Sequence, residues 1–309
     1  MKKIFIIGWL VISMAACTKV DIKAPEDFTV TTDKTTYLTT DTVKFTFTGN
    51  PDYITYFSGE VHKKYELSKV TEMDADSILL VFTTNTTTMA ATNQPVSVNN
   101  LSLLASTDFN GLYDSASIKK ATWTDISSRA TWATTTTSVS SGKIHLEDLR
   151  KGKAPIFIAY KYVSDTAKTN YLPRKWQVAS FSYKNYYKDT AFALAGGAAG
   201  TSNPFMTGGF NQKSILNPLS NWVYANANIT FNAAALGTNP DEDWSVSRGF
   251  EPNLYPSDLG TQIKTESALL GSYQYRFRTP GTYIVTFVAK NADSNSSQEV
   301  VRQITLTIQ

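Results

Sequence analysis

Val43-Lys44-Phe45-Thr46-Phe47-Thr48 alternates apolar and polar side chains at every step, and a period of two of this kind recurs along most of the chain. Successive side chains of an extended strand point to opposite faces, so this run puts Val43, Phe45 and Phe47 on one face and Lys44, Thr46 and Thr48 on the other. Comparable runs are Ile78 to Phe82, Val96 to Leu104, Ile156 to Tyr162, Trp176 to Tyr183, Ile229 to Phe231, Tyr283 to Ala289 and Ile304 to Ile308. Turn chemistry separates them: Gly49-Asn50-Pro51-Asp52, Asn239-Pro240-Asp241 and Pro280-Gly281. Helical periodicity is scarce, with a turn at Glu147-Asp148-Leu149 and a weak one over Ala233 to Leu236. The pattern predicts an all-β fold built from short strands at sandwich spacing.

The amino terminus follows another logic. Lys2 and Lys3 precede an apolar run from Ile4 to Ile12 that ends in Ser13-Met14-Ala15-Ala16-Cys17. The run is far below the ~20 residues a helix needs to span a bilayer, and its basic flank and small residues before a cut fit an export signal. Cys17 is the only cysteine of 309 residues. It sits where a bacterial lipobox needs it, with Met14 in place of the usual Leu at the first position. Residues 1–16 are therefore read as a signal peptide, Cys17 as the lipidated first residue, and 17–27 as a linker on an outer-membrane anchor, facing the periplasm or the cell surface. Two acyl chains or more hold a protein far better than one, because each buried methylene contributes ~0.8 kcal/mol.

Removal of the signal peptide takes Lys2 and Lys3 from the 29 Lys and Arg and no acid from the 26 Asp and Glu, so the formal charge falls from +3 to +1. No Lys/Arg cluster of the kind that displaces phosphate counterions is present, which argues against nucleic acid. With its thiol lipidated the mature chain forms no disulfide and depends on apolar burial. Only His62 and His145 exist, which removes Cys–His catalysis and clustered zinc sites. No Gly-x-Ser-x-Gly elbow accompanies either histidine, and Gly196-Gly197 and Gly208-Gly209 lack the Lys-Ser/Thr of a phosphate loop. A glycosidase carboxylate pair stays open, since its two acids can lie anywhere in sequence. The expectation is a non-enzyme that requires no cofactor.

Tyr273 to Asn291, with Thr279-Pro280-Gly281-Thr282-Tyr283 at its centre and Ile304-Thr305-Leu306-Thr307-Ile308 after it, resembles the last three strands of a polycystic-kidney-disease-type Ig-like domain. The earlier strands of such a domain are found at Phe28-Thr29-Val30, Thr42 to Thr48 and Tyr53 to Gly59, with Tyr56-Phe57-Ser58-Gly59-Glu60 in place of the family's Trp-x-Phe-Gly-Asp. Residues 28–60 and 271–309 are thus expected to form one split Ig-like sandwich, with 61–270 inserted. Within the insertion, Leu101 to Gly111, Ala121 to Trp132, Ile156 to Tyr162 and Trp176 to Phe181 resemble a galactose-binding-like, cleaved-adhesin-type jelly roll. In this order the segments are similar to a family of Bacteroidetes surface lipoproteins known only as a domain of unknown function. The resemblance implies a place beside outer-membrane glycan importers.

Sugar recognition needs rings for the C–H faces and amides or carboxylates for the hydroxyls. Lys184-Asn185-Tyr186-Tyr187-Lys188-Asp189, the Gly/Ala-rich stretch Ala195 to Gly200, Asn221-Trp222 and Asp241-Glu242-Asp243-Trp244 combine both in loop-like sequence. Tyr186, Asn221, Trp222, Asp241, Asp243 and Trp244 are the candidate glycan site, whereas Trp123, Trp132 and Trp176 alternate within strands and read as core. Asp108, Asn110 and Asp114 offer hard oxygens for a structural calcium, against the more ordinary reading of an Asx turn. The expected role is a surface lipoprotein that binds extracellular glycan as a non-catalytic accessory of uptake. The alternative is a structural or adhesive lipoprotein that engages protein partners through sandwich edges.

If Cys17 is the anchor and nothing else, Cys17→Ala releases the protein into the soluble fraction on detergent-free fractionation and leaves its melting temperature unchanged. Membrane retention of the variant contradicts the lipobox.

Overall fold

The computed structural model describes residues 22–88, 100–164, 174–196, 203–225, 227–232, 240–266 and 268–309. The signal peptide, Cys17, most of the Gly/Ala-rich stretch, the start of the Val96 to Leu104 run and the weak turn over Ala233 to Leu236 lie outside the described residues. The described chain is all-β. Its helices are α1 (Ser115–Lys120) and α2 (Pro204–Thr207), and the turn expected at Glu147–Leu149 is a single turn of 3-10 helix. The Asp114 side chain accepts from the Ser117 amide to cap α1, and Asn203 caps α2 just before Pro204.

In chain order, the first strands are β1 (Thr29–Thr31), β2 (Thr36–Tyr37), β3 (Val43–Thr48) and β4 (Tyr53–Phe57). There follow β5 (Ser77–Thr88), β6 (Leu101–Ser106), β7 (Thr124–Asp125), β8 (Val139–Ser140), β9 (Ile144–His145), β10 (Phe157–Ser164), β11 (Arg174–Tyr187) and β12 (Thr190–Ala195). Next are β13 (Asn211–Leu216), β14 (Asn221–Ala225), β15 (Asn228–Asn232) and β16 (Asp241–Val246). The chain ends with β17 (Thr261–Lys264), β18 (Ser272–Tyr275), β19 (Gly281–Ala292) and β20 (Ser297–Ile308). Two compact units result: residues up to 68 together with 258–309, and residues 69–257.

The first unit has a three-stranded sheet, β1-β3-β18, and a five-stranded sheet, β17-β4-β19-β20-β2. Every pairing is antiparallel except that of β2 with β20. The alternation of β3 is realised as read: Val43, Phe45 and Phe47 are buried and the residues between them exposed. Phe287 of β19 packs against Phe45 at 5.0 Å, Phe47 at 5.3 Å and Tyr56 at 5.2 Å between ring centroids, so one ring joins residues from both ends of the chain. Beside this core, Gly59 turns at φ +79°, and a Cβ there would meet the Ile284 carbonyl oxygen at 2.7 Å. Next to it, the Tyr275 hydroxyl and Ser58 Oγ both donate to the Glu60 carboxylate.

The unit begins and ends away from the expected joins at 60 and 271. β17 pairs with β4, with Thr261 opposite Tyr56 and Gln262 opposite Thr55. Its sequence, Thr-Gln-Ile-Lys, carries no apolar alternation. Lys264 is nevertheless buried, its ammonium donating to the Asp52 and Thr265 carbonyls, and such burial has no hydropathy signal.

The second unit has a five-stranded sheet, β13-β16-β10-β6-β7, and a seven-stranded one, β14-β15-β11-β5-β8, with β12 and β9 pairing at its side. Rings from the two sheets meet between them: Tyr160 with Phe82 at 5.4 Å, and Tyr162 stacked on Phe231 at 3.8 Å. The outer face of the five-stranded sheet carries a second core of Phe109, Ile118, Phe157, Trp244 and Val246, roofed in part by Trp123.

Truncating Phe287 to Ala removes a ring shared among β3, β4 and β19 and is expected to destabilise the first unit by about 3–5 kcal/mol in denaturant unfolding. Ending the chain at residue 270 removes β18, β19 and β20. It should therefore also make residues 29–57 protease-sensitive; a resistant fragment that retains them contradicts the shared core.

Candidate functional site

Residues read from sequence as loop are strand. β16 is an inner strand, its two edges paired with β10 and β13, and five of its six residues are buried. Asp241, Asp243 and Ser245 lie opposite Ser164, Tyr162 and Tyr160 of β10, whose rings point between the sheets; Glu242, Trp244 and Val246 take the other face. This parity separates the proposed sugar-binding groups. Trp244 is 6% exposed and lies against Trp123 at 5.2 Å, with the Lys161 ammonium 5.2 Å from its ring and its Nε1 donating to Glu242. Trp222 is 1% exposed and reaches inward from β14, its Nε1 donating to the Asp243 carbonyl at 3.5 Å.

Neither tryptophan presents a face to solvent, which corrects the expectation of a stacking platform. Asn221, on the face of β14 opposite Trp222, donates to the Pro218 carbonyl. Tyr186 belongs to β11 and is half-buried, opposite Ser77. Of the six residues, the structure unites Trp222, Asp241 and Asp243 in the interior and leaves Tyr186, Asn221 and Trp244 apart.

Asp241 and Asp243 are 3% and 1% exposed. Burial, the hydrogen bond to Asp241 and its charge raise the Asp243 carboxyl well above the usual carboxylate range, while the Ser214 hydroxyl opposes the shift. Beside them burial lifts the Tyr162 phenol to about 12, against hydrogen bonds from the Arg174 amide and Ser164, with the two carboxylates adding to the rise.

The expected calcium ligands are used in local structure. Asp108 Oδ1 accepts from Ser106 Oγ and the Thr122 amide, and the Thr122 side chain, then Ser106, hold its carboxyl below the usual range. Asn110 accepts from the Leu112 amide and donates to Ser117 Oγ, and Asp114 caps α1. Among the described residues no three His, Cys, Asp or Glu side chains gather as a metal cluster. The triad is therefore corrected to an Asx turn followed by a helix cap, because Asp108 Oδ1, Asn110 Oδ1 and both Asp114 oxygens accept from neighbouring backbone amides or hydroxyls.

A concave surface lies elsewhere in the same unit. A groove of about 390 Å³ is lined by Glu72, Lys153, Pro155, Gly249, Glu251, Asn253 and Leu254, a volume suited to a small ligand. Its walls are held by backbone bonds: Ile156 and Phe250 exchange both hydrogen bonds at 2.9 Å, and Met73 donates to the Asn253 carbonyl. Beneath it, buried Asn185 donates to the Glu251 carbonyl and the Tyr187 hydroxyl to the Leu254 carbonyl. Gly249 allows the close approach, since a Cβ there would meet Pro155 Cβ at 2.7 Å and Phe157 Cζ at 3.0 Å. Glu72 pairs with Lys153, and the Asn253 Oδ1 is buried with no partner. These residues escaped sequence reading because they come from three segments, about 72, 153–155 and 249–254, and none is aromatic.

The chain belongs to the family called domain of unknown function DUF5017, which matches residues 16–198, more than half of its length. The match runs from the residue before Cys17 to just beyond β12. Asp241, Asp243 and the Gly249 to Leu254 wall of the groove fall after it. No curated protein and no solved structure gives a significant match to the chain.

Trp222→Ala, which hollows the interior between the sheets, is expected to destabilise the second unit by about 3–5 kcal/mol. An unchanged melting temperature for this variant contradicts the core assignment.

Proposed function

We propose that this DUF5017 protein is a lipid-anchored, non-catalytic accessory of glycan uptake on a Bacteroidetes outer membrane, with the groove at Gly249 as its binding surface. The observation that carries the reading is the composition of that groove. Two carboxylates, an ammonium and an amide converge on a cleft whose remaining walls are Pro155, Leu254 and the bare backbone of Gly249. Sugar hydroxyls both donate and accept; Glu72, Glu251 and Asn253 Oδ1 accept, Lys153 and the Asn253 amide donate, and the apolar walls take the C–H face. The Asn253 oxygen, buried without a partner, gains a donor when a hydroxyl enters.

Binding fits this surface better than turnover. Glu72 is already engaged by Lys153 in an ion pair, an arrangement that favours holding hydroxyls over proton transfer. It also carries no ring, so each sugar unit is held weakly and affinity grows through repeated contacts along a chain. The lipobox at Cys17 supplies the anchor, no helix among the described residues is long and apolar enough to cross a membrane, and a glycan importer is the partner the resemblance implies. Neither a cofactor nor nucleic acid enters this role.

The adhesive alternative has its own observation: Leu216, Leu219 and Val223, strung along β13, β14 and their connection, are exposed apolar side chains at two sheet edges. A glycan array probed with the detergent-solubilised full chain separates the readings. Glycan capture that falls about ten-fold in Glu251→Ala and in Asn253→Ala, the loss of one charge-assisted or buried hydrogen bond each, supports the groove provided melting is unchanged. An array without a hit, together with self-association abolished by Leu219→Asp, favours the adhesive role instead.

A further inference from the structure

The two buried aspartates of β16 remain without a task in this reading, and their surroundings are those of a cation site. Asp241 and Asp243 stand two residues apart on an inner strand, so both carboxylates leave the same face and enter the space between the sheets. Burying two carboxyls side by side is costly unless they share a proton or hold a cation, and neither takes part in an ion pair among the described residues. One oxygen of each, Asp241 Oδ1 and Asp243 Oδ2, is buried with no hydrogen-bond partner at all. Around them the register places further oxygens on the same face. Ser164, 4% exposed, is opposite Asp241, and Tyr162 and Ser214 flank Asp243 from the two neighbouring strands. The nearest cation on β10, Lys161, lies on the other face, where it serves Glu242 at 3.3 Å.

We infer that Asp241 and Asp243, with the hydroxyls of Ser214 and Ser164, form a site for one calcium ion in the interior of the second unit. Every donor is oxygen, and two carboxylates balance the charge of a divalent ion. The absence of nitrogen and sulfur donors argues against zinc and copper, and the mixed carboxylate–hydroxyl set on a pleated face suits the flexible coordination of calcium better than the strict octahedron of magnesium. The site differs from the Asp108 turn, where Asp108 Oδ1 accepts from Ser106 Oγ and the Thr122 amide and Asp114 caps α1. It lies on the opposite side of the central sheet from Trp244 and includes no residue of the groove, so it neither depends on glycan binding nor predicts it. Filling it ties β13, β16 and β10 together at one end of the five-stranded sheet.

The test uses the full chain in detergent, stripped with EDTA and dialysed. Calorimetric titration with calcium chloride is expected to show one ion per chain, and calcium at about a hundred times Kd to raise the melting temperature of the second unit by roughly 5–10 °C. Magnesium chloride should do markedly less. Asp241→Asn combined with Asp243→Asn abolishes the heat and the shift, while Asp108→Asn leaves both intact. Where the double variant fails to fold, Ser214→Ala serves, with calcium affinity expected to fall several-fold. Terbium provides a second reading, because Trp222 and Tyr162 border the site and should sensitise its emission until calcium displaces it. No heat and no shift up to about 10 mM calcium, beyond the weak end of extracellular sites, overturns the inference. So does binding that survives the double substitution, or that Asp108→Asn removes.

Discussion

The first unit depends on the pairing of β4 with β19, two strands separated by more than two hundred residues. Thr286 to Lys290 register against Phe57 to Tyr53, and this ladder brings Phe287 onto Phe45 and Tyr56. Closing so long a loop is less demanding than its length suggests, because closure entropy rises only with the logarithm of length, about 0.6 kcal/mol per doubling. The insertion also closes its own ends: the Tyr255 amide donates to the Thr71 carbonyl, and just outside the division the Asp258 amide donates to the Leu67 carbonyl. Short backbone bonds thereby draw the residues around 67–71 and 255–258 together.

The second constraint is that β16 carries buried side chains on both of its faces. The two faces differ. On its outer face Trp244 and Val246 supply ordinary apolar packing against Phe157 and Trp123. On its inner face Asp241, Asp243 and Ser245 stand among Tyr160, Tyr162 and Trp222, a polar row in an aromatic interior. Ser245 is matched by the Tyr224 hydroxyl at 2.9 Å. Of the aspartates, Asp241 Oδ1 and Asp243 Oδ2 find no such match, and leaving them buried without a partner is costly.

Functionally, the second unit separates two kinds of polar surface. The groove at Gly249 is open, and backbone hydrogen bonds such as those between Ile156 and Phe250 hold its walls, so under the proposed role a ligand would meet groups largely in place. The aspartate pair is enclosed, so what it holds affects the rigidity of the sheet rather than recognition at the surface. Only the first of these surfaces suits a polymeric sugar, and only the second suits a bare ion.

Much of the architecture was legible in residues 43–48, 156–162 and 283–289, where alternation states which side chains face a core and Pro280-Gly281 states where a strand begins. The turn residues of Asn203-Pro204 and the cap at Asp114 were similarly local. What failed to be legible was β16: Asp-Glu-Asp-Trp-Ser-Val has the composition of a turn, and only its place between β10 and β13 makes it a strand with an acidic inner face. The same lack of a local signal hid β17 and assigned Trp222 to a surface it does not reach. The groove was invisible for a different reason, since Glu72, Lys153 and Asn253 become neighbours through β-bridges such as that of Glu72 with Leu254. The sequence alone determined the all-β character, because strand parity is written within a few consecutive residues. Which polar groups are exposed, which are enclosed and which converge was decided by tertiary structure, because those properties belong to strand neighbours that no local pattern encodes.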